Sequence, residues 1–209
     1  TVDDVDDIDV TGSNYAYVIS AAETRNSDFA REFVLWTEDG LLTAFEEVDS
    51  MYEYEGGEII TYDITSTADG TTIIDNIERQ TVQLGRVNSN GLVGSDSIAI
   101  DTTPFDGNNS GTSFDLDSDC EIINVDTEKD EGIEGDATSA IRYGQTGKAN
   151  VAYITNTEGD IVFILVDGAN EEISVPNANV VVPADTSAAA LQEVLERADV
   201  AGVTINGRY

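Results

Sequence analysis

The 209-residue chain contains no histidine, one cysteine and only two lysines, Lys129 and Lys148. Without histidine, Ser-His-Asp and Cys-His nucleophiles and histidine-ligated zinc are excluded within this sequence. A single cysteine, Cys120, rules out an intrachain disulfide and any CxxC pair. Its place beside an apolar run reads as a buried strand position. No run approaches the roughly 18 apolar residues of a membrane-spanning helix, and no glycine-rich phosphate loop follows a strand. The expectation from these absences is that the chain is not an enzyme.

Negative charge is what the chain has in excess. Forty-two acidic residues face 9 basic ones, for a formal net charge of -33 and a pI near 4.1. Such a surface repels phosphates and anionic headgroups, so no nucleic acid partner and no membrane insertion are expected. Cations and basic polymers suit it better. Yet 40% of the residues are hydrophobic, spread in strand-like groups, which predicts an ordered acidic protein and not a disordered one. High salt and a cell exterior both produce this surface.

The opening TVDDVDDIDV, Thr1 to Val10, reads as an acidic, solvated lead-in. From Asn14, Tyr15, Tyr17 and Ile19 alternate with Ala16, Val18 and Ser20, a strand by content and period. Arg31 to Thr37 and Leu41 to Val48 are further strands joined by Glu38-Asp39-Gly40, a hairpin signal. Glu58 to Ile64 and Thr71 to Ile77 complete a first series. Thr81 to Asn88, Ser97 to Asp101, Ser113 to Asp117 and Cys120 to Val125 form a second. It is closed by the hairpin Asn150 to Asp167, whose unbroken apolar run Ile161 to Val166 predicts a central, buried strand intolerant of charge. Asp126 to Gly147 reads as a polar crossing. TEDGLLTAF at Thr37 to Phe45 and TEGDIVFIL at Thr157 to Leu165 make a faint internal echo. After Pro183, Asp185 to Ala198 has helical spacing with Asp185 or Thr186 as N-cap, and Val203 to Asn206 is a strand. The fold class expected is mainly β: two small antiparallel β barrel or sandwich modules, 1–80 and 81–172. A short helix-strand segment, 173–209, follows as the start of a further domain. The abrupt beginning and the ending INGRY suggest a piece of a longer protein.

Three features could carry chemistry. Asp115, Asp117 and Asp119 alternate, so in a loop they could converge on Ca2+, a hard cation that takes carboxylate oxygens. The EF-hand continuation fails, because Cys120 stands where glycine is needed and Asp126 where glutamate is. In a strand the three would line one solvated face. The pairs Glu46-Glu47 and Glu171-Glu172 match a glycosidase acid pair poorly, since neighbours in a strand point to opposite faces. Tyr15, Tyr17, Trp36, Tyr52 and Tyr54 could stack on sugars if exposed, or fill a core.

The succession YAYVISAA, EFVLWTEDGLLTAF, GGEIITYDI, SFDLDSDCEIINVD and NVAYITNTEGDIVFILVDG, across Asn14 to Gly168, resembles β modules of bacterial surface-layer proteins, those associated with S-layer homology domains in clostridia-like bacteria. The resemblance implies an extracellular, cell-surface structural or adhesive module with no catalytic residues. Its partners would be other surface-protein domains or cell-wall and host glycans. No wall-anchoring S-layer homology segment is recognisable. A carbohydrate-binding or accessory module of a surface hydrolase is the alternative.

Overall fold

A computed structural model describes residues 14–24, 29–47, 52–68, 71–92, 96–106, 111–183, 186–196 and 200–206. The acidic opening at Thr1 to Val10 therefore lies outside the described residues. The first five strands are β1 (Asn14–Glu23), β2 (Arg31–Thr37), β3 (Gly40–Glu46), β4 (Ile59–Ala68) and β5 (Thr71–Arg79). They close into a barrel in the order β1-β2-β3-β5-β4. The next elements are β6 (Gln83–Leu92), β7 (Ser97–Asp101), β8 (Thr112–Asp126), the two-residue β9 (Glu131–Gly132), β10 (Val151–Thr155) and β11 (Ile161–Asp167). A 3-10 helix, Ala137–Ala140, lies in the crossing between β9 and β10. The pairings β6-β7-β8-β11-β10, with β10 returning to β6, close a second barrel.

The two rings repeat one topology. In each, the first strand pairs with the second and the fourth, and the third pairs in parallel with the fifth. The fourth strand thus returns to lie beside the first, a Greek-key arrangement. Five strands cannot alternate in direction around a closed ring, so one neighbouring pair must be parallel. That pair is β3 with β5 in one barrel and β8 with β11 in the other. The mainly β, two-module expectation holds, and its antiparallel character is corrected at these two closures. The internal echo joins hairpins that are not equivalent: β2–β3 is matched by β7–β8, and β10–β11 by β4–β5.

Three apolar clusters account for the packing. Ala16, Val18, Phe33, Leu35, Ala44, Ile60, Tyr62 and Ile74 belong to the first barrel's core. Val87, Ile98, Ile100, Val151, Tyr153, Ile161, Ile164 and Val166 belong to the second's. The third cluster is shared: Tyr17, Trp36 and Ile59 of the first barrel meet Ile123, Val125, Phe163 and Leu165 of the second. Tyr15 stacks on Phe163 with ring centroids 4.8 Å apart. Alternation explains the arrangement, because successive side chains of β1 and β11 point to opposite faces and both faces find apolar neighbours. Gly132 is forced by the same seam: a Cβ there would fall 1.8 Å from Trp36 Cδ2.

The last part of the chain extends the second barrel's sheet. β12 (Ala178–Pro183) pairs in parallel with β6 and with β13 (Val200–Asn206). Helix α1 spans Ala188–Leu195 and is capped by Ser187, whose hydroxyl accepts the Ala190 amide proton at 3.2 Å. The cap falls later than the Asp185 or Thr186 expected, and Asp185 and Ala198 lie outside the described residues. Val194 and Leu191 pack on the shared cluster, whereas Leu195 is exposed. β12 was not among the expected strands.

Arg86 and Asp101 form an ion pair at 2.7 Å with no side-chain exposure. Asp101 also accepts from the Thr103 amide at 3.0 Å. Removing one member leaves a buried charge uncompensated, so Arg86→Met should cost about 3–5 kcal/mol in urea denaturation. The expectation that all of Ile161 to Val166 is buried and intolerant of charge, at Val162 as at Ile164, is corrected at Val162, which is partly exposed, whereas Ile164 is fully buried. Ile164→Asp should therefore abolish cooperative unfolding, while Val162→Asp should retain it, as read by circular dichroism melts.

Candidate functional site

One concavity lies between the barrels. A cleft of about 590 Å³ is lined by Tyr15 of β1, Tyr62 of β4, the Glu38-Asp39-Gly40 turn with Leu41 and Leu42, and Asp119, Cys120 and Glu121 of β8. Local sequence builds each wall. Gly40 takes a φ of 104°, which lets β2 reverse into β3 within a tight turn. β8 changes partner midway: Thr112 to Asp115 pair with β7, and Glu121 to Val125 pair with β11. Between Leu116 and Glu121 its register slips against β11, and Asp117 Oδ1 accepts the Asp119 amide at 3.1 Å. This bulge turns Glu121 toward the first barrel, while Cys120 packs on the second barrel's core.

Glu121 is the unusual group in the cleft. It is half-buried, and its two carboxylate oxygens each lie 3.3 Å from the Tyr15 backbone nitrogen, which donates to them. Burial pushes its carboxyl up to about 7; the Tyr15 hydrogen bond opposes that shift, and Glu38 and Asp39 add to it. Burial likewise raises Tyr62 to about 12, helped by Glu121 and Asp39. The Cys120 thiol is raised to about 12, first by burial and then by Asp117, Glu38 and Glu121. A thiol so protonated is a poor nucleophile. Cys120 is partly buried and packs against the second barrel's core, close to the core position expected.

A second cleft, of about 300 Å³, lies on the other side of the same turn and is bounded by Trp36, Asn124, Ile133 and Glu134. At another point along the seam, Tyr17 donates to Asp130 Oδ1 at 2.6 Å. Asp167 accepts from the amides of Thr127 at 3.2 Å, Ala169 at 3.0 Å and Asn170 at 2.8 Å, and from the Thr127 hydroxyl. These bonds fix the polar crossing after β8 against the end of β11.

The residues singled out in the sequence are now placed. Asp115 and Asp119 are exposed on β8, and Asp117 is partly buried, its Oδ2 facing Asn156 Nδ2 at 3.4 Å. The slipped register breaks the simple alternation that would put all three on one face. No group of three or more His, Cys, Asp or Glu among the described residues is disposed to hold a metal ion. Glu46 is buried against Arg31 at 3.5 Å. Glu171 pairs with Lys148 at 2.9 Å on the surface. Both pairs thus contain a carboxylate engaged with a cation. Tyr17, Trp36 and Tyr54 are buried and Tyr15 is stacked, so these aromatics serve packing; Tyr52 is 67% exposed. Glu121 escaped the sequence reading. Its only signal was an acid placed directly before the apolar run Ile122-Ile123.

Compared with known proteins, the chain matches no family model, no curated protein and no solved structure. No helix among the described residues is long and apolar enough to cross a membrane.

The crossing also holds a carboxylate whose titration can be followed. Asp136 accepts from the Thr138 hydroxyl and amide and from the Ser139 hydroxyl, at 2.5, 2.9 and 2.8 Å. These bonds, Thr138 first, hold its carboxyl below the ordinary aspartate range. A lowered folded-state value stabilises the 3-10 helix above the unfolded value and loses that contribution as pH falls through the folded one. In an acid titration followed by NMR, the Thr138 amide should shift below the ordinary aspartate range, and Asp136→Asn should remove that shift.

Proposed function

We propose that the chain is a non-catalytic structural or adhesive module displayed on the outside of a bacterial cell, in a surface-layer-like protein. The observation that carries this reading is the continuous apolar seam, which joins two closed barrels through Tyr15, Tyr17, Trp36, Phe163 and Leu165. Closed rings leave no open sheet edges within the barrels, and a shared core keeps their relative orientation fixed. Those are the properties of a spacer. The charge agrees with it. Arg31, Arg79, Arg86, Lys129 and Lys148 all pair with carboxylates within the chain, while the great excess of acid keeps neighbouring copies soluble by repulsion.

Antibodies raised against the purified chain should label intact, unpermeabilised cells of the source bacterium. Labelling only after permeabilisation would overturn the surface assignment. The exposed rings of Tyr52 and Tyr143 favour the second reading, a glycan-binding module. A glycan array should return no strong ligand; saturable binding to a defined polysaccharide, lost in Tyr52→Ala or Tyr143→Ala, would replace the spacer reading with that one.

A further inference from the structure

Glu121 stands where the two barrels meet, and the described residues lining the clefts around it supply no compensating positive charge. It belongs to the second barrel through β8 and bonds the backbone of the first through Tyr15. Every titratable group lining the clefts around it is acidic or neutral: Tyr15 from β1, Tyr62 from β4, Glu38 and Asp39 from the β2–β3 turn, and Asp117, Asp119 and Cys120 from β8 itself. β11 contributes Val162, and the turn before it Asn156, neither of which ionises. Among the described residues lining these clefts there is no lysine or arginine. The turn carrying Glu38 and Asp39 also continues directly from Trp36, a seam residue and the chain's single tryptophan.

We propose that Glu121 is a proton-operated clasp between the barrels. With a proton bound, it accepts the Tyr15 amide and the acidic turn closes over it. Ionised, it repels Glu38 and Asp39 and draws water into the cleft, so the turn swings out and the seam around Trp36 loosens. The hydrogen bond to Tyr15 survives both states, because a carboxylic acid still offers an oxygen to the amide. What changes is the electrostatic cost of keeping a charge in a confined acidic cleft. A carboxyl raised in the folded state contributes stability that is fully present below its unfolded value and is lost as pH rises through the folded one. The clasp therefore closes in mild acid and opens on the basic side of neutrality.

The test uses the full chain. The Tyr15 amide proton, followed by NMR from mildly acidic to mildly basic pH, should shift sigmoidally with a midpoint of about 7. Acrylamide quenching of Trp36 should rise over the same interval. Glu121→Gln keeps an oxygen for the amide but cannot ionise, and should lose both transitions. Glu38→Gln combined with Asp39→Asn should move both midpoints to lower pH. A Tyr15 amide that does not titrate, or titrates unchanged in Glu121→Gln, overturns the proposal, as does Trp36 quenching that is independent of pH. If Glu121→Gln fails to fold, the double variant decides: an unmoved midpoint also overturns it.

Discussion

Strands β1 and β11 each bury both faces, one toward the interior of their own barrel and the other toward the neighbouring barrel. The rest of the molecule depends on this double burial. A fully buried large apolar side chain stabilises by about 1.5–3 kcal/mol, and Tyr17, Trp36, Phe163 and Leu165 all gain theirs only when both rings are complete. Neither barrel therefore reaches its full stability alone. The polar bonds along the seam, Tyr17 to Asp130 and Tyr15 to Glu121, orient an interface whose free energy comes chiefly from removing apolar surface from water.

The charge distribution follows from the same geometry. With so few cations, those the structure describes serve internal purposes: Arg86 lies in the interior with Asp101, Arg31 is sandwiched by Glu46 and the Tyr54 ring, and Arg79 reaches Glu58 at 2.7 Å. Arg142 donates to the backbone carbonyls of Gly168 and Asn170. The surface is left mostly to the acids, with Lys129 and the Lys148–Glu171 pair also lying there. Where an acid is drawn into a confined space, as Glu121 is, burial raises its carboxyl, and no lysine or arginine stands among the described residues lining its clefts.

Much of the architecture could be read from local pattern. Arg31 to Thr37 and Ser97 to Asp101 match their strands to the residue, because polar turns punctuate them sharply. A central buried strand is legible in the apolar run Ile161 to Val166, apart from the partly exposed Val162; that its second face meets the other barrel is not. Long-range facts were not visible. Parallel closure joins strands that are not neighbours in sequence, and no residue encodes it locally. β12 is a short valine run bounded by Pro183, and its parallel partners β6 and β13 are distant or later in sequence, so no local pattern marks it. Asp115, Asp117 and Asp119 looked like a common face only while β8 was imagined regular; the bulge that disperses them arises from β8 changing partners. Glu121 becomes unusual only once the first barrel docks on it.

The ring closures also set an order of events during synthesis. The first barrel can close once Arg79 is made, yet the outward faces of Tyr15, Tyr17 and Trp36 are not fully covered until Ile123 and Val125, and then Phe163 and Leu165, have followed, the last more than eighty residues later. During that interval the nascent chain carries an apolar patch on a finished ring. Non-local pairing of this kind folds slowly and leaves sticky surface exposed. For such a growing chain, the strong negative charge acts as a built-in chaperone: mutual repulsion keeps half-made copies apart until the second ring arrives to cover the first.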